Sequence, residues 1–366
     1  MFPRDMIPNY INELDPYAPG RQIEDVAAEL GLTRIIKLAS NESCLGPSPR
    51  VLEALVKALP GVHRYGDASS ARLKKAIAEK LDLPAECLVC ANGSSEFILV
   101  LAHALLRPGL SAVMSKPSFS LYHQNAKASG AEAREVALKD YAHDLPELLN
   151  AVDGSTRLVF LDNPVNPTGA WLDGDEIESF LDALPGDCLL LLDEAYVEFA
   201  RAPRPDYRKI LSTGRTVILR TFSKLYGLAG LRAGYALMDP VLAEAVNKAR
   251  QPFNINLLAQ VGAMAALEDD IHVEETKRLT WKGLDFLAAE LPKRGLSCHP
   301  SQANFLMADT GRIKAEDVAR SLLREGVIVR TLGAYGLDFQ LRITVGLEEE
   351  NLALLEAVEK AKAAGS

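Results

Sequence analysis

Cysteine is scarce and odd in number, with five in 366 residues. An odd count excludes a fully paired disulfide framework. Sparse thiols suit a reducing compartment, so a cytoplasmic location is expected. Cys87 and Cys90 form a C-x-x-C, but no second ligand pair follows at the close spacing of a zinc site. No metal is therefore expected, and Cys87-Leu-Val-Cys-Ala91 reads as a buried strand. Basic residues are the minority: 40 Lys and Arg face 49 Asp and Glu, a formal net charge of −9. A field of that sign repels nucleic acid and anionic membranes, so neither is an expected partner. Apolar runs such as Cys188–Leu192 are strand-sized, far short of the roughly 20 residues that span a bilayer. Met1-Phe-Pro-Arg-Asp5 lacks the basic-then-apolar layout of a secretory signal. The P-loop pattern and the G-x-G-x-x-G fingerprint are both missing, which excludes the usual nucleotide and dinucleotide cradles.

What is present is an alternation of short apolar runs and helical patterns. Strands are expected at Cys87–Cys90, Ser111–Ser115, Ala133–Val136, Leu158–Leu161, Leu189–Leu192, Thr216–Arg220 and Gly234–Leu237. Helices are expected at Ala71–Lys80, Ser95–Leu105, Leu121–Ala128, Gly174–Leu181 and Pro240–Lys248. Strands that are apolar without alternation are buried on both faces. The fold class is therefore α/β, with a mostly parallel sheet sandwiched by helices. After about Leu258 the pattern changes to two long amphipathic helices, Ala259–Glu268 and Val273–Leu291. A strand, a helix and two strands follow, at Asn304–Met307, Ala315–Glu325, Val327–Arg330 and Leu341–Val345, and then the helix Glu348–Lys362. This reads as a smaller α+β domain. The expected division is a large domain over 40–265 and a small one from 1–39 and 266–366. Asn9–Ile36 is expected to pack with the small domain without a sheet partner of its own.

Several polar residues sit where such a sheet places its chemistry, beyond the carboxyl ends of strands. Leu189–Tyr196 ends in Asp193-Glu-Ala-Tyr196. Asp193 alone could hold a metal, face a heterocycle nitrogen or simply cap a helix. Thr216-Val-Ile-Leu-Arg220 runs into Thr221-Phe-Ser-Lys224 and a glycine-rich segment ending at Gly234. A lysine among Phe222, Leu225 and Tyr226 loses solvation, so its amine becomes a usable nucleophile. A surface lysine with a buried stem is the ordinary alternative. Arg232 lies eight residues further on. Upstream, Asn163-Pro-Val-Asn-Pro-Thr-Gly169 makes a stiff turn that can orient Asn166. Asn92-Gly-Ser-Ser-Glu96 opens a helix, where free amides and hydroxyls cradle an anion or merely cap the end. Taken together, an anion would sit on Gly93, Ser94, Ser95, Ser223 and Arg232. An aromatic nitrogen would face Asp193, a ring hydroxyl would lie near Asn166 and Tyr196, and an aldehyde would bond to Lys224. That ligand is pyridoxal 5′-phosphate.

The order Asn166, Asp193-x-x-Tyr196, Ser223-Lys224, Arg232 resembles the fold-type I pyridoxal-phosphate aminotransferases. Further segments resemble one branch, the histidinol-phosphate aminotransferases. These are Tyr17-Ala-Pro-Gly20, Asn41-Glu-Ser-Cys-Leu-Gly-Pro-Ser-Pro49, Arg64-Tyr-Gly-Asp67, Thr221–Tyr235, Gln251–Asn256 and Leu341–Gly346. Ser43-Cys44 and Gly66 depart from the branch's Asn-Pro and Pro. The resemblance implies exchange of an amino group between L-histidinol phosphate and 2-oxoglutarate in histidine biosynthesis. It makes Lys224 the residue that bonds the cofactor and moves the substrate proton. Asp193 becomes the partner of the ring nitrogen, Tyr196 and Asn166 the partners of the ring oxygen, and Phe119 the stacking aromatic. It implies a homodimer in which Tyr65 reaches the cofactor phosphate of the neighbouring subunit. Arg342 is then the reader of an α-carboxylate. Arg330, with Tyr17, reads the substrate phosphate, and Asn41 also contacts substrate. The same scaffold serves aromatic amino acid aminotransferases and, more remotely, a phosphothreonine-type decarboxylase or a non-catalytic ligand-sensing module. Those remain the alternatives.

Overall fold

The computed structural model describes residues 6–16 and 20–364. Among these residues, twelve strands build two sheets. The first strand, β1 (Ile36–Leu38), corrects an expectation. It does have a sheet partner, pairing in parallel with β11 (Val327–Leu332), Ile36 opposite Val327. Three residues are too few to show a period, so only the distant partner reveals this strand.

The larger sheet contains β2 (Leu88–Ala91), β3 (Ser111–Lys116), β4 (Glu132–Ala137), β5 (Thr156–Asp162), β6 (Leu189–Asp193), β7 (Thr216–Thr221) and β8 (Gly234–Leu237). Their spatial order is β2-β8-β7-β6-β5-β3-β4, and only β8 runs antiparallel to its neighbours. Its direction follows from the connection. A parallel return needs a crossover, usually a helix, whereas the chain from β7 to β8 is the short glycine-rich segment carrying Lys224. Alternate side chains of the central strands enter two separate cores. Leu158, Phe160, Leu191 and Val217 meet Phe97 and Leu101 on one face. Val159, Leu161, Leu190 and Ile218 meet Ile177, Phe180 and Leu181 on the other. Each such side chain contributes about 1.5–3 kcal/mol by leaving water. Polar groups are thereby pushed to the strand ends.

The smaller sheet has the order β1-β11-β12-β10-β9, with β9 (Ser297–Cys298), β10 (Phe305–Asp309) and β12 (Leu337–Thr344). Leu284, Leu287, Leu322, Leu354 and Val358, from the helices Asp270–Glu290, Ala315–Arg324 and Glu348–Ala364, cover it. Helix starts fall earlier than periodicity suggests because polar caps set them. Asn256 accepts from the Ala259 amide, so that helix begins at Leu257, and Asp269 accepts from the His272 amide. The helix Pro49–Ala58 was not foreseen, although Ser48 followed by proline is a start signal.

Candidate active site

Strands β2, β5, β6 and β7 point the same way, so their carboxyl ends open onto one edge. The cleft there is lined by Ser94, Ser95, Phe119, Tyr122, Asp162, Asn166, Asp193, Ala195, Tyr196, Thr221, Ser223, Lys224 and Arg232. It gathers most of the residues singled out from the sequence.

Asp193 is the last residue of β6. Its carboxylate accepts from the Tyr122 hydroxyl at 2.9 Å and from the Ala195 amide at 3.1 Å. Burial pushes its pKa up to about 7; the Tyr122 bond opposes the rise and the Asp162 charge adds to it. A buried acid of this kind ionises most readily beside a cation or a strong donor. Lys224 lies just beyond β7. Its Nζ donates to the Ser40 carbonyl at 3.2 Å and lies 5.5 Å from the centre of the Tyr196 ring. Burial first, then the Arg342 guanidinium, lowers its pKa to about 8. About a tenth of the amine is then unprotonated at neutral pH, enough to act as nucleophile and base.

At the other end, Gly93 precedes the helix Ser94–Leu105 with φ +76° and ψ 169°. A Cβ at Gly93 would lie 2.5 Å from Arg232 Nη2. A Cβ at Gly234 would lie 2.7 Å from the Gly93 carbonyl carbon. Glycine at 234 thus lets the two backbones meet, and glycine at 93 leaves room for the Arg232 guanidinium. Arg232 donates to Ser223 Oγ at 3.3 Å and to the Ala229 carbonyl at 3.1 Å. The helix N-terminus, three hydroxyls and a guanidinium thus converge, an anion cradle in both dipole and charge.

The small sheet reaches the cleft through Asn41 and Arg342. Asn41 donates from Nδ2 to the Tyr196 hydroxyl at 3.0 Å, and its amide donates to Thr344 Oγ1 at 2.9 Å. Arg342 donates to Asn166 Oδ1 at 2.5 Å and to the Ala39 carbonyl at 2.8 Å. Arg330 is the register partner of Arg342 but opens onto two adjoining clefts. One is shared with Phe119, Lys116 and Tyr335, the other with Gly20 and Arg21. Tyr17 lies outside the described residues. Tyr65 is 85% exposed, stacks on Phe253 at 4.6 Å and lines none of these clefts.

Tyr122 and Asp162 were not foreseen. Tyr122 stands in the first turn of the helix Leu121–Ala128, three residues after Phe119, whose ring it meets edge-on at 5.7 Å. Asp162 ends β5 directly opposite Asp193, a pairing visible only once the strand register is known. The donor set fits pyridoxal phosphate: an acid for a ring nitrogen, an amine for an aldehyde, and a cradle for a phosphate.

The sequence pattern of the aminotransferase class I and II family matches residues 33–358. A protein named histidinol-phosphate aminotransferase 2, from Pseudomonas fluorescens Pf0-1, is 43% identical over 97% of both chains. A namesake from Carboxydothermus hydrogenoformans is 44% identical over 97% of this chain and 98% of its own. Among solved structures, histidinol-phosphate aminotransferase from Sinorhizobium meliloti, in complex with pyridoxal-5′-phosphate, superposes with a TM-score of 0.90. It is 29% identical and covers 98% of this chain and 97% of its own. Thermus thermophilus aspartate aminotransferase shares the fold, with a TM-score of 0.84 at 21% identity over 97% of this chain and 99% of its own.

Proposed function

The chain belongs to the aminotransferase class I and II family, and from that premise we propose that it exchanges an amino group between L-histidinol phosphate and 2-oxoglutarate, with pyridoxal 5′-phosphate as cofactor. The reading is carried by one cleft in which an amine lowered to about 8 and a carboxyl raised to about 7 adjoin an anion cradle. The names of the full-length relatives and the ligand of the Sinorhizobium meliloti structure support it.

When bound, the cofactor supplies an aldehyde that captures amines and a ring that accepts electrons from the substrate α-carbon. Gly93, Ser94, Ser95, Ser223 and Arg232 would hold its phosphate. Asp193 would hold the proton on its ring nitrogen, with Tyr122 fixing the carboxylate's orientation. Asn166 and Tyr196 would hydrogen-bond the ring oxygen, and Phe119 would pack on the ring face. Lys224 Nζ would bond the aldehyde in the resting protein and, once released, take the proton from the substrate α-carbon. Arg342 would bind the α-carboxylate of glutamate through a two-pronged contact. Arg330 and Tyr17 would bind the phosphate of histidinol phosphate, and Asn41 would position substrate beside Tyr196.

The working unit in this reading is a cytoplasmic homodimer, and its partners are small molecules. Tyr65 of the partner subunit would complete the phosphate site. Leu52, Val56, Leu59 and Val62 are exposed near Tyr65 in sequence, an apolar strip of the kind that marks an interface. No helix among the described residues is long and apolar enough to cross a membrane. Residues 40–265 would form the cofactor-binding domain, and 1–39 with 266–366 the smaller one. The test is a steady-state assay of purified protein with histidinol phosphate, phenylalanine and tyrosine, each paired with 2-oxoglutarate. A phosphate-reading arginine should favour histidinol phosphate by about tenfold or more in kcat/KM. Equal or better turnover of the aromatic amino acids would transfer the assignment to the aromatic branch.

A further inference from the structure

A second buried acid stands behind the first. Asp162 and Asp193 end neighbouring parallel strands as a register pair, and both are buried. Asp162 Oδ2 accepts from the Asn166 amide at 2.7 Å. Its Oδ1 is buried without a hydrogen-bond partner and lies 3.4 Å from Nε2 of His143, whose side chain is itself wholly buried. The same Nε2 is 3.0 Å from the Asp162 carbonyl, and Nδ1 is 2.6 Å from Ser115 Oγ. Two oxygens that can only accept face Nε2, so the ring hydrogen belongs there. Nδ1 then accepts from the Ser115 hydroxyl. Ser115 and His143 thus stand behind Asp162, which is the register neighbour of Asp193.

We propose that Ser115, His143 and Asp162 form a positioning relay: Ser115 and His143 fix the place of Asp162, and the Asp162 carboxylate, acting through Asp193, tightens the proton on the cofactor ring nitrogen. This rests on the reading that the cleft binds pyridoxal phosphate. The sign is set by charge alone. A second anion beside a protonated pair raises the pair's affinity for its proton. Neighbouring titratable groups are few. Tyr122 approaches from its helix, Tyr196 lies beyond β6, Lys224 beyond β7, and Arg342 reaches in from β12 through Asn166. Glu194 is occupied by Arg220. None of these side chains hydrogen-bonds Asp162, whose carboxylate accepts from the Asn166 backbone amide and lies beside His143.

Asp162→Asn tests the charge, because a carboxamide keeps an oxygen for the Asn166 amide. The readouts are the pH midpoint of ring-nitrogen protonation in the cofactor-loaded protein without substrate, followed by the 15N chemical shift of ring-labelled pyridoxal phosphate, and the equilibrium affinity for that cofactor. The midpoint should fall, by an amount corresponding to about three- to tenfold weaker proton binding, and cofactor affinity should drop about tenfold. Asp162→Glu should recover part of both. Ser115→Ala, which frees the His143 tautomer, should move both readouts the same way by less, and it carries the test if Asp162→Asn does not fold. Wild-type midpoint and affinity in Asp162→Asn, or in Ser115→Ala where only that variant folds, would overturn the relay. A wild-type protein that took up no pyridoxal phosphate would overturn the functional reading as well.

Discussion

Gly93→Ala is a small change with a large expected effect on one ligand group. At φ +76° and ψ 169° the backbone occupies a region that is essentially restricted to glycine. Alanine there costs about 1–3 kcal/mol of stability. The new methyl would also lie 2.5 Å from Arg232 Nη2 and 3.2 Å from Cζ, both inside contact distance. A guanidinium is the end of a flexible side chain, so Arg232 should swing away and give up Ser223, now 3.3 Å distant. The cradle then loses its fixed positive charge. A hydrogen bond to a charged group contributes about 1.5–3 kcal/mol, which converts to about 10- to 150-fold weaker binding of pyridoxal phosphate. The discriminating control is pyridoxal without the phosphate, whose affinity should change less than threefold. Equilibrium dialysis of both ligands against wild type and variant, with urea unfolding to register the backbone cost, completes the experiment. If the folded variant binds pyridoxal phosphate as wild type does, or loses both ligands equally, Gly93 and Arg232 do not form the phosphate cradle.

Lys224 gives a pH-dependent expectation. Its folded pKa of about 8 lies below the ordinary 10.5, so its contribution to stability is intact above 10.5 and is lost as pH falls through 8. In the cofactor-free protein, Lys224→Met should therefore gain up to about 3 kcal/mol at pH 7 and nothing at pH 10.5; an equal gain in urea unfolding at both pH values would contradict this. For the two arginines, single-turnover half-reactions followed by the cofactor spectrum should separate their roles. Arg330→Leu should slow the histidinol phosphate half-reaction about 10- to 150-fold and phenylalanine little, whereas Arg342→Leu should hit glutamate hardest, because histidinol phosphate has no α-carboxylate. If Arg330→Leu affects histidinol phosphate and phenylalanine equally, Arg330 does not read phosphate. For the dimer, mixing Tyr65→Phe with Lys224→Ala under subunit exchange should restore a minority of intact sites, and no recovery despite demonstrated exchange would place Tyr65 within its own subunit.

The central sheet was legible because its strands bury both faces. Leu190–Leu192 and Val217–Leu219 can be nothing but interior, and each run ends in the first polar residue that the sheet edge allows. The antiparallel course of β8 was not legible in the same way. It depends on a twelve-residue connection that forms no crossover helix, and the apolar run Gly234–Leu237 looks the same in either direction. β1 was missed for a related reason: Ile36–Leu38 is held by Val327–Val329, nearly three hundred residues away, and carries no local signature. Helix boundaries were off by one to three residues wherever a cap, rather than the apolar period, sets the first turn. Asp269 and Asn256 are the examples.

The candidate site divides along the same line. Lys224, Asp193, Asn166 and Arg232 stand in short segments whose neighbours dictate their environment, so residue type and spacing together reveal them. Groups that act through a second residue leave no such trace. Tyr122 matters because its hydroxyl meets Asp193; Arg342 is reached in the sequence only through the family resemblance, and its contacts with Asn166 and the Ala39 carbonyl are not legible there. The Arg342–Asn166 contact exists only after the small sheet docks against the edge of the large one, and the Tyr122–Asp193 contact only once the helix Leu121–Ala128 packs on the large sheet. The docking also adds to the lowering of the amine, whose largest cause is burial. Arg342 is the largest electrostatic contributor after burial to the Lys224 shift, and it comes from β12, more than a hundred residues from the lysine it tunes. A movement of the small sheet that withdrew Arg342 would therefore raise the Lys224 pKa as it opened the cleft. The Lys224 amine and the Arg342 guanidinium are thus coupled through the contact between the two sheets.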